Sequence, residues 1–393
     1  MISVEQATHI IDQHLFHSGI ESISLDKSLG RILAENVSAD RDFPPFDRVA
    51  MDGICFRYED FQKGQKQFPI SGVQAAGESP LKLAHGTCLE IMTGAALSNG
   101  ADTVIRYEDL DIKDGLATIQ IEDVRFGQNV HKQGSDRKSA TVLLEANEHI
   151  SATTIGVLAT VGKAQVRVFK QPKVAIVSTG DELVDVDKTP LPHQIRKSNV
   201  HSLMALLSTY GIEPELVHLG DDKGDISNRI ADLLEKNDAI LMSGAVSKGK
   251  FDFLPEVLSD LGVVKHFHKV EQRPGKPFWF GTKGKTSVFA FPGNPVSTFV
   301  CAKRFFEPWL KKSYHQLPEK QYAVLGEDIS FRPNLTYFLQ VQVKNLLGKL
   351  IAAPAVGNGS GDLANLTVAN AFMELPNTQT DFKAGNVYPI WMF

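Results

Sequence analysis

Three short loops combine small residues with acids in a pattern suited to an oxyanion. They read Ser178-Thr179-Gly180-Asp181-Glu182, Ser243-Gly244-Ala245-Val246-Ser247 and Pro292-Gly293-Asn294-Pro295-Val296-Ser297. Gly, Ser and Thr in such loops offer backbone N–H groups and hydroxyls, which bind phosphate-like anions. Asp181 and Glu182 in the first loop, and Asp252 just after the second, add carboxylates. Carboxylates beside a phosphate cradle suggest a magnesium ion between them. A fourth segment, Arg273-Pro274-Gly275-Lys276-Pro277, spaces two cations across a stiff Pro-Gly turn in an acidic chain, and this too suits an anion. Taken singly, each loop has a plain structural reading. The glycines could close tight turns. Asp252 is placed to cap a helix, and Asn294-Pro295 reads as an N-cap with proline at the first helical position. Three such loops at one sheet edge favour a ligand site.

The elements that position these loops follow from periodicity. Short apolar runs, Val174 to Val177, Ala239 to Met242 and Ser287 to Phe291, precede the three loops, and helical patterns come after. Strand, loop and helix in that order build a parallel α/β sheet with ligands beyond the carboxyl ends of its strands. Leu203, Leu206, Leu207 and Tyr210 form one helical stripe, with Ser198 or Asn199 as N-cap. Ile226, Ile230, Leu233 and Leu234 form another, started by Asp225, and Leu254, Val257, Leu258 and Leu261 a third. Residues 3 to 18 read as a helix capped by Ser3, and residues 150 to 162 as a second helix returning to pack on it. From 41 to 145 the pattern is β, with Asp114-Gly115 as a two-residue hairpin turn. Beyond Pro318 the chain is β again, Leu339, Val341 and Val343 alternating with Gln340, Gln342 and Lys344.

Polar turns also occur in the first β segment, at Phe46-Asp47-Arg48-Val49-Ala50-Met51-Asp52-Gly53, Met92-Thr93-Gly94-Ala95-Ala96 and Asn129 to Arg137. The 393 residues predict two to four domains. A net charge of -5 argues against broad nucleic-acid binding. Cys55, Cys88 and Cys301 form no C-x-x-C pair, which speaks against a disulfide framework or a cysteine zinc site. His14/His17 and His266/His268 lack an evident third ligand. The amino-terminal residues lack the pattern of a signal peptide, and no run of 18 apolar residues suggests a membrane span, so a cytoplasmic protein is expected.

Six motifs in order make the chain recognisable: Ala50-Met51-Asp52-Gly53, Met92-Thr93-Gly94-Ala95, Ser178-Thr179-Gly180-Asp181-Glu182-Leu183, Ser243-Gly244-Ala245-Val246-Ser247, Arg273-Pro274-Gly275-Lys276-Pro277 and Phe291-Pro292-Gly293-Asn294-Pro295-Val296-Ser297. Over essentially its whole length the chain resembles the MoeA family of molybdopterin molybdenumtransferases, to which the C-terminal part of gephyrin is related. The resemblance implies a multi-domain α/β and β fold. A helical spine would comprise residues 1–40 and 146–170, an inserted β domain 41–145, a parallel α/β domain like that of the molybdopterin adenylyltransferases 171–316, and a C-terminal β-barrel-like domain 317–393. It implies a homodimer, each active site lying between the α/β domain of one subunit and the inserted β domain of the other.

The reaction implied takes adenylylated molybdopterin and molybdate, inserts molybdenum, releases AMP and uses magnesium. A molybdopterin adenylyltransferase and apo-molybdoenzymes are the further partners it suggests. By the same resemblance, Asp52, Glu182, Asp252 and Lys276 are the catalytic candidates, and Asp181, Glu182 and Asp252 the metal ligands. Thr93, Asp136, Ser178, Thr179, Gly180, Gly244, Ser247, Arg273, Pro292, Asn294 and Ser297 would bind substrate. Departures from the family pattern fall at Ala245 for a glycine, Arg273 for a lysine, His131 for an arginine, Ser135 for a glutamate, and Arg48-Val49 for a small polar pair. Two other readings use the same residues: a molybdopterin adenylyltransferase-like nucleotide enzyme, and a gephyrin-like scaffold. The first usually lacks the Ala50-Met51-Asp52-Gly53 segment, and the second does not need acidic and basic loops together.

Overall fold

The computed structural model describes residues 1–220, 223–244 and 254–393. The chain forms two units, one of Met1–Ala34, Asn147–Ile150 and Val166–Phe393, the other of Glu35–Ala146 and Ser151–Gln165. The helix Ala152–Thr160, expected to pack on the first helix, thus groups with the inserted β segment. Ser151 caps it by accepting from the Thr154 N–H.

In the first unit the helix Val4–Asp12 is shorter than its apolar pattern predicts. Its Ser3/Gln6 capping box is complete. It ends because the chain after Gln13 is drawn away: the His14 carbonyl accepts from Trp309 Nε1 at 2.7 Å, and the Phe16 N–H donates to Ser313 Oγ. The central sheet has the order Glu215–Leu219, Val174–Thr179, Ala239–Ser243, Thr286–Phe291, Trp279–Lys283, Val264–Phe267. The first four strands run parallel, and the last two are antiparallel to their neighbours, so the sheet is mixed. Its inner strands, Val174–Thr179, Ala239–Ser243 and Thr286–Phe291, are buried on both faces, by helix Asn199–Ser208 and the long helical stretch Pro295–Ser313 on one side and helices Lys223–Lys236 and Leu254–Asp260 on the other. That is why they read as unbroken apolar runs. All three small-residue loops leave the carboxyl ends of adjacent strands.

The last 73 residues hold a closed five-stranded barrel, in the order Thr336–Leu346, Lys349–Pro354, Gln321–Leu325, Val387–Met392, Ala371–Leu375 and back to Thr336–Leu346. Leu339, Val341, Val343, Met373 and Leu375 fill it. Gln272–Arg273 adds to the same barrel strand, with Gln272 paired to Thr336 and Arg273 to Tyr337. This pairing brings the basic loop of the α/β sheet against the barrel.

The second unit carries a six-stranded sheet, in the order Thr103–Arg106, Gly53–Phe56, Cys88–Ile91, Gln67–Gln74, Leu116–Ile119, Leu110–Lys113. The hairpin expected at Asp114-Gly115 is present, with φ of 49° and 74° at the two turn residues. Gly53 is required by close approach, because a Cβ there would lie 1.9 Å from the Ile105 carbonyl oxygen.

Candidate functional site

Two cavities open at the carboxyl edge of the central sheet. The first, of about 460 Å³, is lined by Arg273, Pro274, Gly275 and Lys276, by Pro292, Asn294 and Ser297, and by Tyr337, Gln340, Gly359 and Ser360 of the barrel. Four of the expected substrate-binding residues, Arg273, Pro292, Asn294 and Ser297, meet here with Lys276. Arg273 and Lys276 are exposed and form no ion pair among the described residues. Two uncompensated cations in one concave site favour an anion. Arg273 lies over the Phe331 ring, 6.0 Å from its centroid, and Phe331 stacks on Tyr337 at 4.2 Å. Burial pushes the Tyr337 hydroxyl above its ordinary pKa, against the opposing charge of Arg273, so the phenol is a neutral wall beside the cations. The turn that spaces the cations needs Gly275. Its φ is +91°, and a Cβ would lie 2.5 Å from Gln272 Nε2 and 2.7 Å from Cys301 Sγ.

The second cavity, of about 410 Å³, is lined by Ser178, Thr179 and Glu182, by Lys197, Ser198 and Asn199, by Ser243 and Gly244, and by Gly293 and Asn294. Asn294 therefore borders both cavities. Its side chain makes no capping bond to the helix Pro295–Cys301. Instead Nδ2 donates to Ser360 Oγ at 2.7 Å, and the Val296 N–H donates to the Ser360 carbonyl. Asn199, expected as a helix cap, likewise turns its amide to the loops. Nδ2 donates to Ser243 Oγ and to the Gly293 carbonyl, each at 2.7 Å, with Thr298 Oγ1 at 3.3 Å. One amide thus ties the second and third loops together.

The acids of the first loop diverge. Glu182 borders the second cavity and folds back over Gly180, its Oε2 2.3 Å from where a Cβ would stand. Asp181 turns toward Gly220, its Oδ1 3.2 Å from the corresponding point there, and does not line either cavity. Ser247 and Asp252, with the Ala245 departure, lie outside the described residues. Among the described residues no group of three His, Cys, Asp or Glu side chains is gathered as a metal site.

Asp52, Thr93 and Asp136 belong to the second unit. Asp52 Oδ1 accepts from the Thr93 N–H at 2.6 Å, and that bond holds the carboxyl below its ordinary pKa. Asp136 Oδ1 is 2.9 Å from His131 Nε2, while His131 Nδ1 is 3.3 Å from Arg48 Nη2. Arg48 and His131 are direct partners on paired strands. Arginine can only donate, so Nδ1 accepts and Nε2–H donates to Asp136. Two of the departures noted in the sequence thus stand together, and an arginine reaches the place of His131 from the facing strand.

Sequence reasoning missed Asn199, Lys197, Tyr337, Ser360 and His218. The last bonds Ser178 Oγ through Nδ1 at 3.0 Å. Only Asn199 had a visible signal, as a polar residue at a helix start.

An α/β sheet whose strand-end loops border two cavities, with a barrel closed against its basic loop, is the class of protein that this geometry defines. Family models for the MoeA N-terminal region (domain I and II), a probable molybdopterin binding domain and the MoeA C-terminal region (domain IV) match residues 2–162, 175–312 and 322–393. A molybdopterin molybdenumtransferase from Synechocystis sp. is 39% identical over 100% of both chains. One from Staphylococcus epidermidis is 31% identical over 99% of this chain and 95% of its own. A solved structure of the molybdopterin biosynthesis MoeA protein from Pyrococcus horikoshii has a TM-score of 0.84 at 30% identity, covering 100% of this chain and 99% of its own. The chain belongs to the MoeA family.

Proposed function

We propose that the protein is a molybdopterin molybdenumtransferase, which inserts molybdenum from molybdate into adenylylated molybdopterin and releases AMP. One observation carries this reading: two adjoining cavities share Asn294, one holding Arg273 and Lys276, the other combining the hydroxyls of Ser178, Thr179 and Ser243 with Arg196, Lys197 and Glu182. The reaction has two anionic centres, molybdate and the pyrophosphate link, and each finds complementary groups. Arg273 and Lys276 supply counter-charge to molybdate, with Pro292, Asn294 and Ser297 shaping its site. Ser178, Thr179, Gly180, Gly244 and Ser247 hold the phosphates or the pterin. Donors pre-aimed at developing negative charge lower the barrier to breaking the link. Asp181, Glu182 and Asp252 would hold magnesium, which when bound offsets phosphate charge.

Asp52, Thr93 and Asp136 complete the site from the partner subunit of a homodimer in this reading. Domain boundaries near residues 40, 146, 171 and 316 go with it, as does a cytoplasmic location. Among the described residues no helix is long and apolar enough to cross a membrane. The test is an assay with adenylylated molybdopterin, molybdate and magnesium. AMP release that depends on molybdate is expected; AMP release unaffected by molybdate, or none, overturns the reading.

A further inference from the structure

His218 has no part in the site as read from sequence, yet it touches one of its residues. It sits on the outermost parallel strand, in register with Ser178 on the next, and Ser178 is in register with Ser243 on the third. Side chains paired in this way leave the same face of a sheet. The carboxyl edge therefore carries a polar row, His218, Ser178 and Ser243, ending at the Asn199 amide on Ser243 Oγ. Ser178 is only 2% exposed and lines the second cavity, so its hydroxyl has few places to turn.

A serine hydroxyl has one proton and two lone pairs, and a neutral imidazole has one N–H. If the imidazole proton is on Nε2, the Ser178 hydroxyl must donate to Nδ1, and the cavity meets lone pairs that repel an anion. If it is on Nδ1, Ser178 accepts, and its own proton is free to point into the cavity. Burial and then Lys197 hold His218 below its ordinary pKa, against an interaction with the Ser178 backbone and the charges of Asp185 and Asp181, so the neutral ring and its tautomer are what matter. Lys197 is itself paired with Asp185 at 2.8 Å.

We propose that His218 is a positioning residue for the transfer reaction: its Nδ1–H donates to Ser178 Oγ, turning the hydroxyl proton into the cavity toward a phosphate oxygen of the substrate. It rests on the reading that this cavity takes the phosphate-bearing part of adenylylated molybdopterin. The effect is on binding of the anion, with bond breaking itself untouched.

The test uses the full-length protein and four variants: His218→Leu, His218→Asn, Ser178→Ala and the double variant His218→Leu/Ser178→Ala. AMP affinity is measured by calorimetry, and kcat and KM for adenylylated molybdopterin by AMP release. His218→Leu should weaken AMP binding and raise KM about tenfold, the usual net effect of one hydrogen bond, with kcat within about twofold. His218→Asn, whose amide N–H can reach Oγ, should recover most of the loss. Adding His218→Leu to Ser178→Ala should cost nothing further. Thermal midpoints guard against a folding effect, since a purely structural role would lower them without splitting KM from kcat. Unchanged KM in His218→Leu, an Asn variant as poor as the Leu variant, or additive losses in the double variant would each overturn the proposal. A parent protein that neither binds AMP nor releases it overturns the functional reading and this proposal together, and is distinguished by failing before any residue is changed.

Discussion

Glu182 and Lys276 face different cavities, and this separates what each can do. Glu182→Gln keeps size and removes charge, so folding should barely change. The magnesium concentration needed for half-maximal AMP release should rise, and so should the concentration giving half-saturation of magnesium binding in calorimetry. Lys276→Ala removes a cation that has no acidic partner among the described residues. The molybdate requirement should rise, and more at higher salt, because the site is open to solvent. Titrating both ions in both variants checks the assignment, and identical responses would refute it. Asn199 makes a different prediction. Its amide bonds Ser243 Oγ and the Gly293 carbonyl. Asn199→Ala should cost about 1–3 kcal/mol in stability, from the half-buried groups left unpaired, and slow turnover by loosening both loops. Denaturant midpoints and AMP release read the two effects.

The helical stretch behind the third loop holds that loop in place. Pro295–Cys301 continues through a π-helical turn, Ala302–Phe306, into Glu307–Ser313. π-Turns inside α-helices often accompany functional sites, and here the turn follows the loop's helix and supplies Lys303 to a charged knot. Glu307 is buried and meets Lys303 Nζ at 2.5 Å, Lys311 Nζ at 3.1 Å and the Tyr210 hydroxyl. Burial alone would raise its pKa, but Lys303, Tyr210 and Lys311 outweigh it and hold the carboxyl below 4.5. A depressed folded-state pKa gives stability that is present above the unfolded value and is lost as pH falls through the folded one. Between pH 7 and about 5 the parent should exceed Glu307→Gln by roughly 3–5 kcal/mol, as for a broken buried pair. The gap should close as the pH drops below 4.5 and the parent carboxylate takes up its proton. Urea unfolding at a series of pH values measures it; a gap independent of pH would exclude this role for the carboxylate.

At the scale of the whole molecule, the expected site residues are divided between two units of the chain. Both cavities are built entirely within the first unit, while Asp52, Thr93 and Asp136 belong to the second. The dimer proposed above would supply those three residues from the partner. Sedimentation at micromolar concentration should therefore show a dimer. Mixing an Asp52→Asn variant with a Glu182→Gln variant should recover activity above either parent variant, since exchange creates one site free of both changes. A fully active monomer, or mixing without recovery despite proven subunit exchange, would count against the shared site.

Local patterns in the chain were enough to reveal the strand–loop–helix units, the Asp114-Gly115 hairpin and the small-residue loops at the strand ends. Each depends on residues within a few positions of one another: apolar runs, a turn dipeptide, small residues at strand ends. The ordered motifs were enough to reveal the family. Other features depend on pairings across long stretches of chain. The barrel closes because Thr336–Leu346 pairs with both Lys349–Pro354 and Ala371–Leu375. The basic loop becomes a cavity wall because Gln272–Arg273 joins that strand some 60 residues on. Asn199 and Asn294 read as caps, since capping is the local use of asparagine at a helix start, but each found a longer-range partner. His218 sits on a strand with no local mark of function. Its contact with Ser178 follows from the register between two strands 40 residues apart, and register is a property of the folded sheet.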